Sequence, residues 1–232
     1  NLTNNVEFSI LPPDVSYGRE SDGDNNWIYF SNSTPLGPNN TNGFNDICED
    51  PQFSHQGGFY SELIEINIFH STEDYSIYYT LDGSRPGTDA SLYTNPITIE
   101  STTVLKARTI DTNKLPGEIM ASTYFIGEQS YLPTISLIAE CETLWDEDIG
   151  IYENEYKQRE IPVTIEYFTP DAEHGFTVKA GARLGGLNIW TKPQKPFTIY
   201  TRDRFGQDFI HYQSSLLIDN PKLIIDFFKS LI

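Results

Sequence analysis

The sequence predicts a mainly β protein made of antiparallel sandwich and hairpin units, and three observations carry that expectation. Tyr and Phe are abundant, 14 of each, against a single Met, and aromatic side chains suit a half-buried pleated surface. The 16 Gly and 14 Pro are spread along the chain, where they supply turn conformations and end strands. Between these turns run short segments with period-2 alternation, the pattern of strands with one face buried. At 232 residues the chain can bury one large core or two smaller ones.

In chain order, residues 1–45 are polar and Asn-rich. Two short strand-like runs, Val15–Tyr17 and Trp27–Phe30, flank the turn-rich Ser21–Asn26. Gly, Asp and Asn there tolerate the positive φ angles of hairpin turns. Asp22-Gly23-Asp24-Asn25-Asn26 has the look of a calcium loop but lacks the acidic residue that closes a twelve-residue EF-hand. A hairpin turn is the expectation. Residues 46–57 read as a linker.

The central segment, 58–130, alternates clearly. Ile64, Ile66 and Ile68 interleave with Glu65 and Asn67. Ser76–Leu81 is a second strand, closed by the turn Asp82-Gly83-Ser84-Arg85-Pro86. In Val104–Ile110, Leu105 and Ala107 alternate with Lys106 and Arg108, so one face is apolar and the other polar. Ser122–Ile126 completes a set whose spacing suits a sandwich. Asp82 reads as a turn residue.

The last segment, 131–232, opens with the strand LPTISLIAE and an acidic, aromatic loop, ECETLWDEDIGIYEN. Strands Ile161–Phe168, with Val163, Ile165 and Tyr167 on one face, and Phe176–Leu184 form an antiparallel pair turned at Pro170–Gly175. After Gly185-Gly186 and a polar loop comes the strand Lys195–Arg202. At the end, Leu223, Ile224, Phe227, Phe228 and Leu231 follow helical spacing, with Asp219-Asn220-Pro221 as a possible cap.

Composition narrows the function classes. Fifteen basic against 33 acidic residues leave a net charge of −18, which repels phosphate backbones and anionic lipid, so nucleic acid is not an expected partner. No run of 18 apolar residues exists, so no membrane-spanning helix is expected. Cys48 and Cys141 form no CxxC motif; pairing between them stays open. His55, His70, His174 and His211 show no metal or triad spacing and read as isolated loop or surface residues. Asp146, Glu147 and Asp148, with Glu140 and Glu142, form an acidic cluster that suits Ca²⁺ better than Mg²⁺, or is simply solvated.

Three stretches resemble known families. SYGRESDGDNNWIYFSNSTPLGPN resembles the closing hairpin of a lamin-tail domain. GGFY, IYYTLDGSRP, LYTNPI and TTVLKAR resemble, over about residues 57–127, the immunoglobulin-like domain named from the C-terminus of chitobiases and hexosaminidases. In that family the module is a spacer or accessory domain. LPTISLI, LWDEDIGIYEN, PVTIEYFTPD, GFTVKAGARLGG and PQKPFTIYTRDRFG resemble the opening of a CotH-type kinase domain, named from a spore-coat protein.

Together these resemblances imply an immunoglobulin-like sandwich flanked by a partial lamin-tail-like hairpin and an incomplete α+β kinase-like lobe. They imply a piece of a secreted or cell-surface bacterial protein, consistent with a chain that opens on Asn1. Its partners would be other domains of its parent chain or a surface or secretion complex. Phosphoryl transfer needs close backbone approach, a cation and metal-binding carboxylates. By resemblance Arg183, Gly185, Gly186 and Lys195 fall on the family's nucleotide-contacting segment, with ATP and Mg²⁺ as cofactors of the complete protein. The segment departs from the family pattern in two places: only Leu184 stands between Arg183 and the glycine pair, and Pro196 follows the lysine. No HRD or DFG string is present, and the family's catalytic carboxylates lie further along. The expectation is a piece without activity of its own, belonging to a kinase or to a structural surface protein with a degenerate kinase-like region. The resemblance also makes IDFFKSLI a strand.

Overall fold

The computed structural model describes residues 11–12, 15–71, 75–185, 195–205 and 222–225, without the side chains of 203 and 222–225. The chain is mainly β, as expected. It begins with a small antiparallel sheet, β1 (Ser16–Arg19), β2 (Trp27–Phe30) and β3 (Gly43–Phe44), in that order. Gly23 takes φ +85° in the β1–β2 turn, where Asp24 N–H donates to the Ser21 carbonyl at 3.0 Å. Ile28 and Phe30 bury one face. Gly43 lies so close to both that a Cβ there would overlap them.

The segment expected to be a linker is instead packed against the sandwich. It carries β4 (Gln52–Phe53), and Cys48 and Pro51 are buried. Cys48 N–H donates to the Leu115 carbonyl and Leu115 N–H to that of Asp46, at 2.8 and 2.9 Å. Leu115 is itself buried, and that burial is what draws the segment down.

The central sandwich follows the alternation read from the sequence. Its strands are β5 (Gly58–Tyr60), β6 (Ile64–Ile66), β7 (Ile68–Phe69), β8 (Ser76–Thr80), β9 (Ser91–Leu92), β10 (Ile97–Ile99), β11 (Thr103–Ile110) and β12 (Met120–Ile126). One layer is a five-stranded sheet, β5-β12-β11-β8-β9. The other is two short pairs, β10-β6 and β4-β7, which share the Ile64–Phe69 stretch. Ile66, Ile68, Ile97 and Ile99 from the short pairs meet Ile77, Leu105, Ala107 and Tyr124 from the large sheet. Edge strand β5 joins β12 in parallel, with Gly58 opposite Tyr124, while the other pairings in the layer are antiparallel.

The final unit is an antiparallel meander of five strands: β13 (Thr134–Ile138), β14 (Ile161–Phe168), β15 (His174–Leu184), β16 (Phe197–Tyr200) and β17 (Lys222–Ile225). Between β13 and β14, the expected acidic loop contains a short helix, α1 (Cys141–Trp145), and a 3-10 turn, Glu155–Lys157. That insertion covers one face of the meander, where Leu144, Ile151 and Tyr152 pack over Val163, Ile165, Val178, Ala180, Ala182 and Phe197. Of the strand expected from IDFFKSLI, only Ile225 lies in β17; the rest falls outside the described residues.

The opposite face of the meander lies against the outer face of the sandwich. The polar side of β11 is thereby covered at Lys106, which is 2% exposed. The sandwich contributes Phe59, Phe125, Thr123 and Lys106, the side chains out of phase with its own core, and β14 contributes Glu166 and Phe168. Three packed layers of sheet result.

Candidate functional site

Two regions bring chemistry-bearing side chains together: the end of the meander at β15–β16, and its joint with the sandwich. At the first, Arg183 and Lys195 do not converge. Arg183 Nη2 donates to the Tyr200 hydroxyl at 2.6 Å, and its guanidinium lies 5.3 Å from the ring centroid. Its Nε is buried with no hydrogen-bond partner among the described residues. Arg202 approaches the same ring at 4.8 Å and, with Arg204, pairs with Glu160 at 3.3 and 2.7 Å.

Lys195 instead pairs with Glu155 of the 3-10 turn at 2.6 Å, both side chains being mostly buried. Alternation explains the split. Arg183 and Tyr200 are out of phase with Ala182, Leu184, Phe197 and Ile199, which face the α1 layer. Glu155 follows Tyr152 in that layer, and Tyr152 meets the Phe197 ring edge-on at 6.1 Å. The two cations expected to share a ligand therefore sit on opposite faces of the sheet. Gly185 donates its N–H to the Pro196 carbonyl at 2.9 Å, and a side chain there would collide with the Thr198 hydroxyl. Gly186 lies outside the described residues.

The acidic loop is organised by its own backbone. Asp146 Oδ1 accepts the N–H groups of Asp148 and Ile149 at 2.8 and 2.9 Å. Those donors hold its carboxyl below the usual carboxylate range. Asp146, Glu147 and Asp148 read as either a weak cation site or a solvated face, and among the described residues no three His, Cys, Asp or Glu side chains are grouped to hold an ion. Asp82 is the turn residue expected, its Oδ1 accepting Ser84 N–H at 3.0 Å. The cysteines are unpaired, Cys48 buried and Cys141 exposed at the start of α1.

The joint is the more densely organised region. Phe59 and Phe125 stack at 4.4 Å, and Phe168 meets both edge-on at 5.7 and 5.6 Å. Beside them Glu166 is fully buried and accepts Thr123 N–H at 2.8 Å. Burial pushes its carboxyl up despite that hydrogen bond. Thr123 and Ser136 join their hydroxyls at 2.6 Å. Lys106 Nζ donates to the carbonyls of Gly83 and Ala139, at 2.6 and 3.1 Å. At one margin Lys179 pairs with Glu118, and burial pushes the lysine down. His174 is no isolated surface residue: Nδ1 meets Gln56 at 2.9 Å and Nε2 meets the Thr177 hydroxyl at 2.8 Å.

Glu155, Glu160, Glu166 and Tyr200 were not singled out from the sequence. The only available signal for Glu166 was its phase, out of step with Val163, Ile165 and Tyr167, which reads as solvent-facing until a second sheet covers it.

The family profile of the chitobiase/beta-hexosaminidase C-terminal domain matches residues 55–121. The central sandwich is thus similar to that immunoglobulin-like module. The match stops short of both the small N-terminal sheet and the final meander. No curated protein matches the chain.

Proposed function

We propose that this chain is the accessory and early-lobe portion of a secreted or cell-surface CotH-like atypical kinase, without catalysis of its own. The observation that carries this reading is the Lys195–Glu155 pair, at 2.6 Å between a lysine two residues ahead of β16 and a helical-turn glutamate. In protein kinases a strand lysine paired with a helix glutamate positions nucleotide phosphates. Here the lysine leads into β16, an inner strand of a five-stranded antiparallel sheet, and the glutamate belongs to a short helical insertion. ATP and Mg²⁺ would serve the complete protein, with Lys195 toward phosphate and the metal-binding carboxylates supplied beyond this chain. Arg183, engaged with Tyr200 on the other face, is left out of that site.

The test is a thermal shift with millimolar ATP and Mg²⁺ on a chain extended through the whole domain, with Lys195→Ala alongside. A shift in the parent that the variant lacks supports the reading; no shift in the parent sinks it.

A second reading, a structural surface protein of immunoglobulin-like modules, is favoured by the joint. Phe59, Phe125 and Phe168 interlock across it, as suits a stiff stalk segment. Lack of any nucleotide response would leave this reading standing.

A further inference from the structure

Glu166 occupies an unusual position for a carboxyl group. It is completely buried, between two sheets, and only one of its oxygens is satisfied. Oε2 accepts Thr123 N–H, whereas Oε1 is without a hydrogen-bond partner among the described residues. Oε1 lies against Gly57, so a side chain at that position would have to displace the Glu166 carboxyl. None of the ion pairs among the described residues includes Glu166. The two lysines at the joint are engaged elsewhere, Lys179 by Glu118 and Lys106 by Gly83, Ala139 and Glu140.

The groups around it come from four sides. Strand β12 brings the Thr123 amide, the Ser122 hydroxyl and the Tyr124 phenol. The approach to β5 brings Gly57. Strand β13 places Ser136 opposite Glu166 in the ladder. Strand β15 places Thr177 opposite it on the other side, with His174 bonded to that threonine and Lys179 two residues further. A buried carboxylate with no counter-ion and one oxygen left without a partner is costly, whereas the neutral acid removes the buried charge.

We propose that Glu166 is a proton-operated clasp: neutral, it holds the outer face of the sandwich on the final sheet, and ionised, it loosens that joint. Burial favours the neutral form of Glu166 and of His174 alike, raising the carboxyl and lowering the imidazole. For Glu166 the folded value lies above the unfolded one. Its contribution is fully present below the unfolded value and is lost as pH rises through the folded one. For His174 the folded value is depressed, so its contribution is present above the unfolded value and lost as pH falls through the folded one. The carboxyl therefore loosens the joint toward alkaline pH, and the imidazole loosens it toward acid.

Thermal unfolding of the 232-residue chain, wild type beside Glu166→Gln, from about pH 4.5 to about pH 8.5, tests this. Glutamine keeps the shape and cannot ionise. The two melting temperatures should agree at the acid end, with the variant several degrees higher at the alkaline end. Parallel profiles, or a variant that falls below wild type at alkaline pH, overturn the clasp. Should the variant not fold, amide exchange at Thr123 in the wild-type protein gives the answer. Its protection should drop with pH beyond the ordinary base catalysis of exchange, while amides in β2 keep theirs. Equal pH dependence at both places overturns the proposal.

Discussion

The buried ammonium of Lys106 donates at 2.6 Å to the carbonyl of Gly83, the residue at the tip of the Asp82–Pro86 turn. Its second acceptor, the Ala139 carbonyl, lies between β13 and α1, so one lysine ties the turn of the sandwich to the start of the helical insertion. A turn that sequence reading assigns to chain reversal alone thereby becomes an anchoring point.

Lys106→Met removes that tie while keeping the apolar stem. It leaves two carbonyls without their donor, at a cost of about 1–3 kcal/mol. Denaturant unfolding should show a lower midpoint, and an unchanged midpoint would show the contacts to be dispensable.

Phe168 is fully buried against Phe59 and Phe125. Phe168→Ala should cost about 3–5 kcal/mol, because the rings around it belong to two sheets and cannot both close the gap. If the sandwich and the meander unfold together in wild type, the variant should separate their transitions in calorimetry. A loss under 1 kcal/mol would contradict this packing.

Lys195 and Glu155 should be coupled. A double-mutant cycle with Lys195→Ala and Glu155→Ala should give an interaction of about 0.5–3 kcal/mol, as for contacting residues in general. Zero coupling would separate the pair and remove the main support for the nucleotide reading.

Acid should weaken turns before cores. Backbone N–H groups at Asp24 and Asp146, and the Ser84 hydroxyl and then its N–H at Asp82, hold these carboxyls below the usual carboxylate range. Their folded values are depressed, so their contribution holds above the unfolded value and is lost as pH falls through the folded one. Asp82→Asn should flatten the acid limb of the stability profile, and an unaltered limb would rule out Asp82 as a source.

The two thiols should differ in reactivity. Cys141 is exposed, while Cys48 is buried and its thiol is pushed up by burial. A thiol reagent on the native protein should label Cys141 rapidly, and Cys48 only after unfolding. Rapid labelling of both would mean the 46–57 segment is not packed as described.

Much of the secondary structure was legible because alternation reports local burial. Ile64, Ile66 and Ile68, or Val163 and Ile165, mark their own strands and the faces that meet a core. The Asp82–Pro86 turn was legible from residue chemistry, since its conformation depends on residues adjacent in sequence. The candidate site was far less so. Arg183 and Lys195 are linked in sequence by a family-like pattern, yet strand phase sends them to opposite faces.

By itself, then, the sequence determined the β class, most strands and the sandwich core, because these follow from periodicity and turn chemistry within short windows. Only the tertiary structure decided that Lys106, Thr123, Glu166 and Phe168 are buried. Those residues sit on the polar or second face of their strands, and whether such a face meets water or another sheet depends on contacts between distant segments. The same long-range packing pushes the Glu166 carboxyl up, a property no local pattern encodes.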